Sequence, residues 1–320
     1  MEKKIEVSVH IVVYNHEKYI EQCLESVVSQ ICEFEYEILI GDDASTDHSQ
    51  RLINKIAQKY PSKNIRTFLR KTNVGPFQNH YQLFKETKGE FITICEGDDY
   101  WIDSQKLQKQ YNALKQNPEC IACHTWQKLA TFDNDKNIFV EIDSPKEGNG
   151  YLKQPINDVS QIFRNKMRPK VRTIMFRNIF KDHSFPSWYT DVKFGDEALN
   201  FTLGKFGKFY FIDEEMAVYR QTTTGMSSIF NNIQGYIQGT KDWIYEYDVA
   251  ANYYNGKYDK DALIGITFFM KRLFNQRWFG LKEGSKFLMW VIVFSKIRLK
   301  VRKELVKLII ANMFSKKTIA

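Results

Sequence analysis

Ile5-Glu6-Val7-Ser8-Val9-His10-Ile11-Val12-Val13, closed by Tyr14-Asn15, is the stretch that decides the fold. Its apolar residues alternate and then run together, the pattern of a strand entering a buried sheet. Asn15 stands where it can cap a helix in which Ile20, Leu24, Val27, Val28 and Ile31 recur at helical spacing. Glu37 to Ile40 reads as a second strand. It stops at Gly41-Asp42-Asp43-Ala44-Ser45-Thr46-Asp47, after which Leu52, Ile53 and Ile56 resume helical spacing. A strand around Arg66 to Leu69, a loop at Asn73-Val74-Gly75-Pro76 and a helix near Asn79 to Glu86 follow. The run Phe91-Ile92-Thr93-Ile94-Cys95 is another buried strand, meeting Glu96-Gly97-Asp98-Asp99-Tyr100-Trp101. Strands alternating with helices predict an α/β fold, a mostly parallel sheet sandwiched by helices, with ligands beyond the carboxyl ends of the strands.

From Thr125 to about Lys170 the pattern is irregular and polar, with turn signals at Ser144-Pro145 and Gly148-Asn149-Gly150. Apolar order returns at Thr173 to Phe176 and at Phe209 to Ile212, and past Ser228 the chain becomes helix-like and aromatic. The 320 residues therefore divide into an α/β domain over 1–228, with halves 1–125 and 126–228, and a C-terminal helical extension over 229–320. No G-x-G-x-x-G follows the first strand and no P-loop motif occurs, which removes the usual dinucleotide and P-loop signatures.

The chain has 46 basic residues against 38 acidic ones, a formal charge of +8. Ten basic and two acidic residues lie beyond Gly280, so the last 40 residues carry the whole excess. A neutral body argues against a broad nucleic-acid footprint. Five cysteines spread over this length do not make a disulfide scaffold. Cys120-x-x-Cys123-His124 is the one zinc-like spacing; it lacks a second Cys/His pair, and buried free thiols are the better reading. The N-terminus has no apolar signal core, and the longest apolar run, Phe287 to Phe294, is far short of the roughly 20 residues of a membrane span. These features predict a reduced, cytoplasmic chain without a transmembrane helix.

Glu96, Asp98 and Asp99 crowd three carboxylates at one strand end, a cost that a bound cation would relieve. A Mg²⁺ or Mn²⁺ site and a solvated acidic turn are the competing readings. Asp42 and Asp43 end the neighbouring strand and should face the same crevice, either to accept hydrogen bonds from a nucleoside or to form an Asx-turn. Gly195-Asp196-Glu197 opens another helical segment, where a carboxylate serves either as a general base or only to complement the helix dipole.

Taken in order, Ser8-Val9-His10-Ile11-Val12-Val13-Tyr14-Asn15, Gly41 to Asp47, Asn73-Val74-Gly75, Glu96 to Trp101, Gly195-Asp196 and Tyr219-Arg220 resemble the GT-A fold, family 2 glycosyltransferases over residues 5–228. The resemblance implies inverting transfer of a sugar from a UDP- or dTDP-linked donor with a divalent metal (Mn or Mg). It implies that Asp42 and Asp43 bind base and ribose beside Tyr14 and Asn15. It implies that Asp98, with Glu96 at the position where an Asp is common, holds the metal, that Asp99 contacts the donor sugar and that Asp196 is the catalytic base. Thr222 stands where relatives often carry a His that helps hold the metal or diphosphate. The acceptor implied is a hydroxyl of a glycan or lipid-linked glycan in surface polysaccharide or lipopolysaccharide synthesis. The readings set beside it are a sugar-nucleotide nucleotidyltransferase, which would want a Gly-rich basic loop where this chain has Tyr14-Asn15-His16-Glu17, and a silent nucleotide- or glycan-binding module.

Two basic features complete the reading. Arg164, Lys166, Arg168, Lys170 and Arg172 alternate and would share one face if extended, as a solvated edge or as a platform for an anionic acceptor. Arg70 and Lys71 read chiefly as an exposed turn. In the tail, Ile297, Val301, Leu305 and Leu308 repeat at helical spacing beside Lys296, Lys300, Lys303 and Lys307. The segment 286–317 is therefore either an in-plane anchor on an anionic membrane surface, the inner face of the cytoplasmic membrane, or a helical pair packed on the body.

Overall fold

The computed structural model describes residues 4–133, 136, 138–143, 154–222, 230, 232–276, 279–294 and 297–315. The turn signals at 144–150 and the expected boundary at 228/229 fall outside them. The first half runs β1 (Ile5–Val13), α1 (Ile20–Val28), β2 (Glu35–Asp42), α2 (Ser49–Lys59), β3 (Asn64–Leu69), α3 (Pro76–Glu86), β4 (Phe91–Glu96), β5 (Tyr100–Trp101) and α4 (Lys106–Gln116). The second continues with β6 (Cys120–Asp133), β7 (Ile138–Asp143), β8 (Ile156–Asn157), α5 (Ser160–Phe163), β9 (Met175–Arg177), α6 (Gly195–Leu203) and β10 (Lys208–Arg220). Helices α7 (Ile233–Tyr253), α8 (Asp259–Phe274), α9 (Leu281–Met289) and α10 (Leu299–Ser315) close the chain.

Among the described residues the strands form one sheet in the order β3-β2-β1-β4-β9-β6-β10-β5, with β7 beside β6 and β8 beside β10. The pairs β3-β2, β2-β1, β1-β4 and β6-β10 are parallel, while β9 runs antiparallel to both β4 and β6. β1 lies between two parallel partners with Val7, Val9 and Ile11 fully buried, which is why its sequence is so apolar. The chain order reverses direction at β1: β2 and β3 are added on one side and β4 on the other. The strand ends at Val13, Asp42 and Glu96 thus open a crevice where α/β sheets take their ligands.

Several expectations change. Asn15 is not a helix cap: α1 begins only at Ile20, and Asn15 takes a left-handed backbone (φ 57°) with its Oδ1 accepting from the Thr46 N–H at 2.8 Å. The irregular stretch after Thr125 contains the long strand β6 and the hairpin to β7, whose mixed polar pattern is held by pairing with β10 rather than by alternation. A register shift in β6 between Cys120 and Ala122 puts Cys120 and Cys123 into the same apolar cluster; both are buried thiols pushed upward by burial. The basic run before Thr173 is not an edge strand. It runs from the C-cap of α5 into a short 3₁₀ turn (Val171–Thr173), and Arg164 ends on Asp261 at 2.6 Å.

The apolar stripe of the tail is covered. Ile297, Val301, Leu305 and Ile309 are buried in a core that also takes in Phe163, Phe201 and Phe269, so α10 packs on the body as one of a helical set. Burying four such side chains contributes on the order of 6–12 kcal/mol before the entropy of ordering the helix. No helix among the described residues is long and apolar enough to cross a membrane.

Candidate active site

A cavity of roughly 290 Å³ opens at the carboxyl end of β4, with Glu96, Asp98, Arg168, Lys170, Arg172 and Asp196 in its wall. Asp196 sits in the first turn of α6, where helix N–H groups and dipole favour an anion. Its side chain is 32% exposed, and its nearest cation is Lys170 Nζ at 3.9 Å from Oδ2. Neighbouring Glu197 is different: it is 1% exposed and receives Arg168 Nε at 2.7 Å. Of the two adjacent acids, only Asp196 offers an open carboxylate. Glu96 and Asp196 also border a second, aromatic cavity of roughly 320 Å³ formed by Phe77, Tyr81, Phe185 and Tyr189 with His80. Burial pushes His80 down to about 4, so the ring is neutral there.

The three carboxylates after β4 are not equivalent. Asp99 is buried: Arg172 Nε donates to one oxygen, and the Arg220 N–H donates to the other at 2.9 Å. Burial pushes it up to about 6, against the pull of Arg172. Arg172 also donates to Glu96 at 2.7 Å and to Gln127 at 3.0 Å, with its guanidinium 4.2 Å from the Tyr219 ring centroid. Glu96 is pushed up to about 7, first by burial, with Arg172 opposing and Asp99 and Asp196 adding. Asp98 carries no such guanidinium: among the described residues no Lys or Arg lies within ion-pair distance of its carboxylate. Burial raises it, with His16 and Arg172 opposing and Glu96 adding. Among the described residues no group of three or more His, Cys, Asp or Glu side chains is placed to hold a metal ion by itself, so a hard divalent cation at Asp98 and Glu96 would need substrate oxygens to complete its shell.

Asp42 and Asp43 are buried and hold loops. Asp42 accepts from Ser45 Oγ, from Ser45 N at 2.9 Å and from Gln50 Nε2 at 2.6 Å. Asp43 accepts the Val74 and Gly75 N–H groups at 2.8 and 2.9 Å. Gly75 has φ +86°, a conformation that lets consecutive amides turn onto one carboxylate. Tyr14 is exposed at the end of β1, so the Asn15–Thr46 bond and the Asp43 anchor frame a shelf on which Tyr14 stands. Arg70 is tied to Asn79 and Gln82 at 3.2 and 2.6 Å, on α3 rather than in the crevice.

Tyr219 also lines the cavity, and the sequence did not single out Gln127, Phe230 and Trp243, which line it too. Trp243 comes from α7, so the helical extension supplies part of the wall. The Tyr219-Arg220 pair was a visible signal; Trp243 had none, because one tryptophan on a helix reads as core.

The chain matches the family described as Glycosyl transferase family 2 over residues 8–182, more than half its length, and belongs to that family. A poly(ribitol-phosphate) beta-glucosyltransferase of Bacillus spizizenii is 39% identical over 139 residues, 43% of this chain and 22% of that protein. An uncharacterized protein of Mycobacterium tuberculosis is 43% identical over 110 residues, 34% of this chain and 32% of that protein, so the chain spans a third or less of these two relatives. Among solved structures, Staphylococcus aureus TarS 1-349 aligns over 97% of this chain and 88% of that one, with a TM-score of 0.61 and 18% identity. The Pyrobaculum calidifontis mannosyltransferase PcManGT, solved with GDP-Man and Mn2+, aligns over 96% and 80%, with a TM-score of 0.61 and 14% identity. These two likenesses show the GT-A fold.

Proposed function

We propose that the protein transfers a sugar, with inversion, from a UDP- or dTDP-sugar to a hydroxyl of a glycan or lipid-linked acceptor in surface polysaccharide assembly. The observation that carries this is the open carboxylate of Asp196 in the wall that Glu96 and Asp98 share. Asp196 takes the proton of the acceptor hydroxyl as its oxygen attacks the anomeric carbon from the face opposite the departing nucleoside diphosphate. One displacement inverts the centre. Asp98, with Glu96, would hold a divalent ion, which when bound supplies positive charge to the leaving diphosphate. Lys170 and Arg172 add fixed positive charge to that wall, and Asp99 holds Arg172 in place. Tyr14 and the Asn15, Asp42 and Asp43 loops support the nucleoside side, the two aspartates through the loops they pin. The curated poly(ribitol-phosphate) glycosyltransferase relatives and the basic wall both support a phosphate-bearing acceptor.

A thermal-shift panel of UDP, dTDP, GDP and CMP, each with Mn²⁺, Mg²⁺ or EDTA, tests the reading. UDP or dTDP with metal is expected to stabilise the fold by about 2.7 kcal/mol at a hundredfold excess over Kd, falling in EDTA. No stabilisation by any nucleotide under any condition would remove it.

Membrane contact is proposed through the corner between α9 and α10 rather than through the covered stripe. Met289, Ile292, Val293 and Leu299 are exposed there, flanked by the exposed Lys300 and Lys307. An apolar tip with a basic rim suits anionic lipid, each basic residue contributing up to about 1 kcal/mol near the surface. The chain is expected to float with anionic liposomes and not with neutral ones, and Ile292→Glu with Val293→Glu to abolish flotation. Equal flotation of the variant would refute this surface.

A further inference from the structure

Among the described residues the imidazole of His16 makes no hydrogen bond; its ring faces the Asp98 carboxylate. The residue lies in the loop after β1, its backbone N–H donating to Ser49 Oγ at 2.8 Å. Nδ1 is fully buried, and a methyl group on Gly97 would stand 2.7 Å from it, so the ring is seated against the backbone of the acidic loop itself. This seating turns Nε2 toward Asp98, at 4.0 Å from Oδ2. That separation is too long for a hydrogen bond. It is the spacing of two ligands across one ion, since metal bonds of about 2.1 Å put ligand atoms roughly 3 to 4.2 Å apart. Among the described residues the carboxylate it faces is also the one in the cavity without a Lys or Arg within ion-pair distance, so the pair offers one nitrogen and one oxygen to a divalent cation.

We propose that His16 Nε2 is a ligand, together with Asp98, of the divalent ion in the transfer site. The proposal rests on the reading of Asp98 as the metal-holding residue, and it adds a nitrogen donor from the first loop of the chain to a set otherwise made of oxygens. An imidazole in that set has a chemical consequence: it raises affinity for Mn²⁺ relative to Mg²⁺, because Mg²⁺ keeps to oxygen and Mn²⁺ accepts nitrogen more readily.

The test is Mn²⁺ binding to the full chain, followed by electron paramagnetic resonance with and without UDP. The bound ion in the wild type should show ¹⁴N coupling of imidazole type. His16→Gln should lose that coupling and bind Mn²⁺ at least about tenfold more weakly, with the Mn²⁺ over Mg²⁺ preference reduced. Asp98→Asn should lose binding altogether, and His183→Gln, on the exposed surface, should change nothing. If Mn²⁺ binds in an Asp98-dependent way with the same affinity and no nitrogen coupling in wild type or His16→Gln, the histidine ligand is overturned while the metal site stands. If the wild type binds no Mn²⁺ with or without UDP, both fall. His16→Asn repeats the test should the glutamine variant fail to fold.

Discussion

Asp196→Asn is expected to lower the transfer rate by about a thousandfold while leaving nucleotide binding unchanged. The amide has the shape of the carboxylate and keeps the same place in the first turn of α6, so the wall is not disturbed. What it loses is basicity, and a positioned general base contributes roughly 10²- to 10⁴-fold. The neighbouring acid cannot take over, because Glu197 is buried with Arg168 Nε on its carboxylate at 2.7 Å. Glu197→Gln would instead loosen that contact and register as lost stability. The measurement is initial rate alongside the UDP-induced thermal shift for both variants. A rate within tenfold of wild type for Asp196→Asn, at an unchanged shift, would mean another group takes the proton.

β1, β2 and β4 were legible because each is buried over most of its length and so spells its own apolar run, whereas β3 is a partly exposed edge strand. Val7, Val9 and Ile11 needed no context to be read. β6 was not legible, since Lys128 and Gln127 interrupt it and its continuity comes from pairing with β10 and β7, partners that no local pattern reveals. The tail shows the same limit differently. Its helical stripe of Ile297, Val301 and Leu305 was read correctly as an apolar face, but a stripe does not say what covers it. In the site, spacing found Glu96, Asp98 and Asp196, which end strands or begin a helix. Spacing could not tell Asp99 from Asp98, two adjacent acids, of which one is locked between Arg172 and the Arg220 N–H and the other stands free of both. Likewise the alternating Arg168, Lys170 and Arg172 read equally well as a solvated edge. Only the fold sets them against Glu197, Asp196 and Asp99.

Arg172→Met is expected to destabilise the protein by about 3–5 kcal/mol, because it removes the cation from the buried Asp99 as well as from the partly exposed Glu96. The guanidinium is almost fully enclosed. It serves Asp99, Glu96 and Gln127, lies over Tyr219, and its own carbonyl receives the Trp101 indole N–H at 3.1 Å. Methionine fills most of the stem's volume, so the cost is electrostatic rather than a cavity. Asp99 already stands at about 6 with the arginine present, burial having pushed it up, and losing the guanidinium leaves its charge with only the Arg220 N–H. Adding Asp99→Asn should therefore recover a large part of the loss, since a neutral amide does not need the missing cation. Thermal denaturation of the single and double variants reads this, with a drop on the order of 10 °C for Arg172→Met and partial return in the double variant. Losses that simply add would show that Arg172 acts by packing alone. The cross-link it makes between β4, the 171–173 turn and β10 would then not be what presents Asp98 to the cavity.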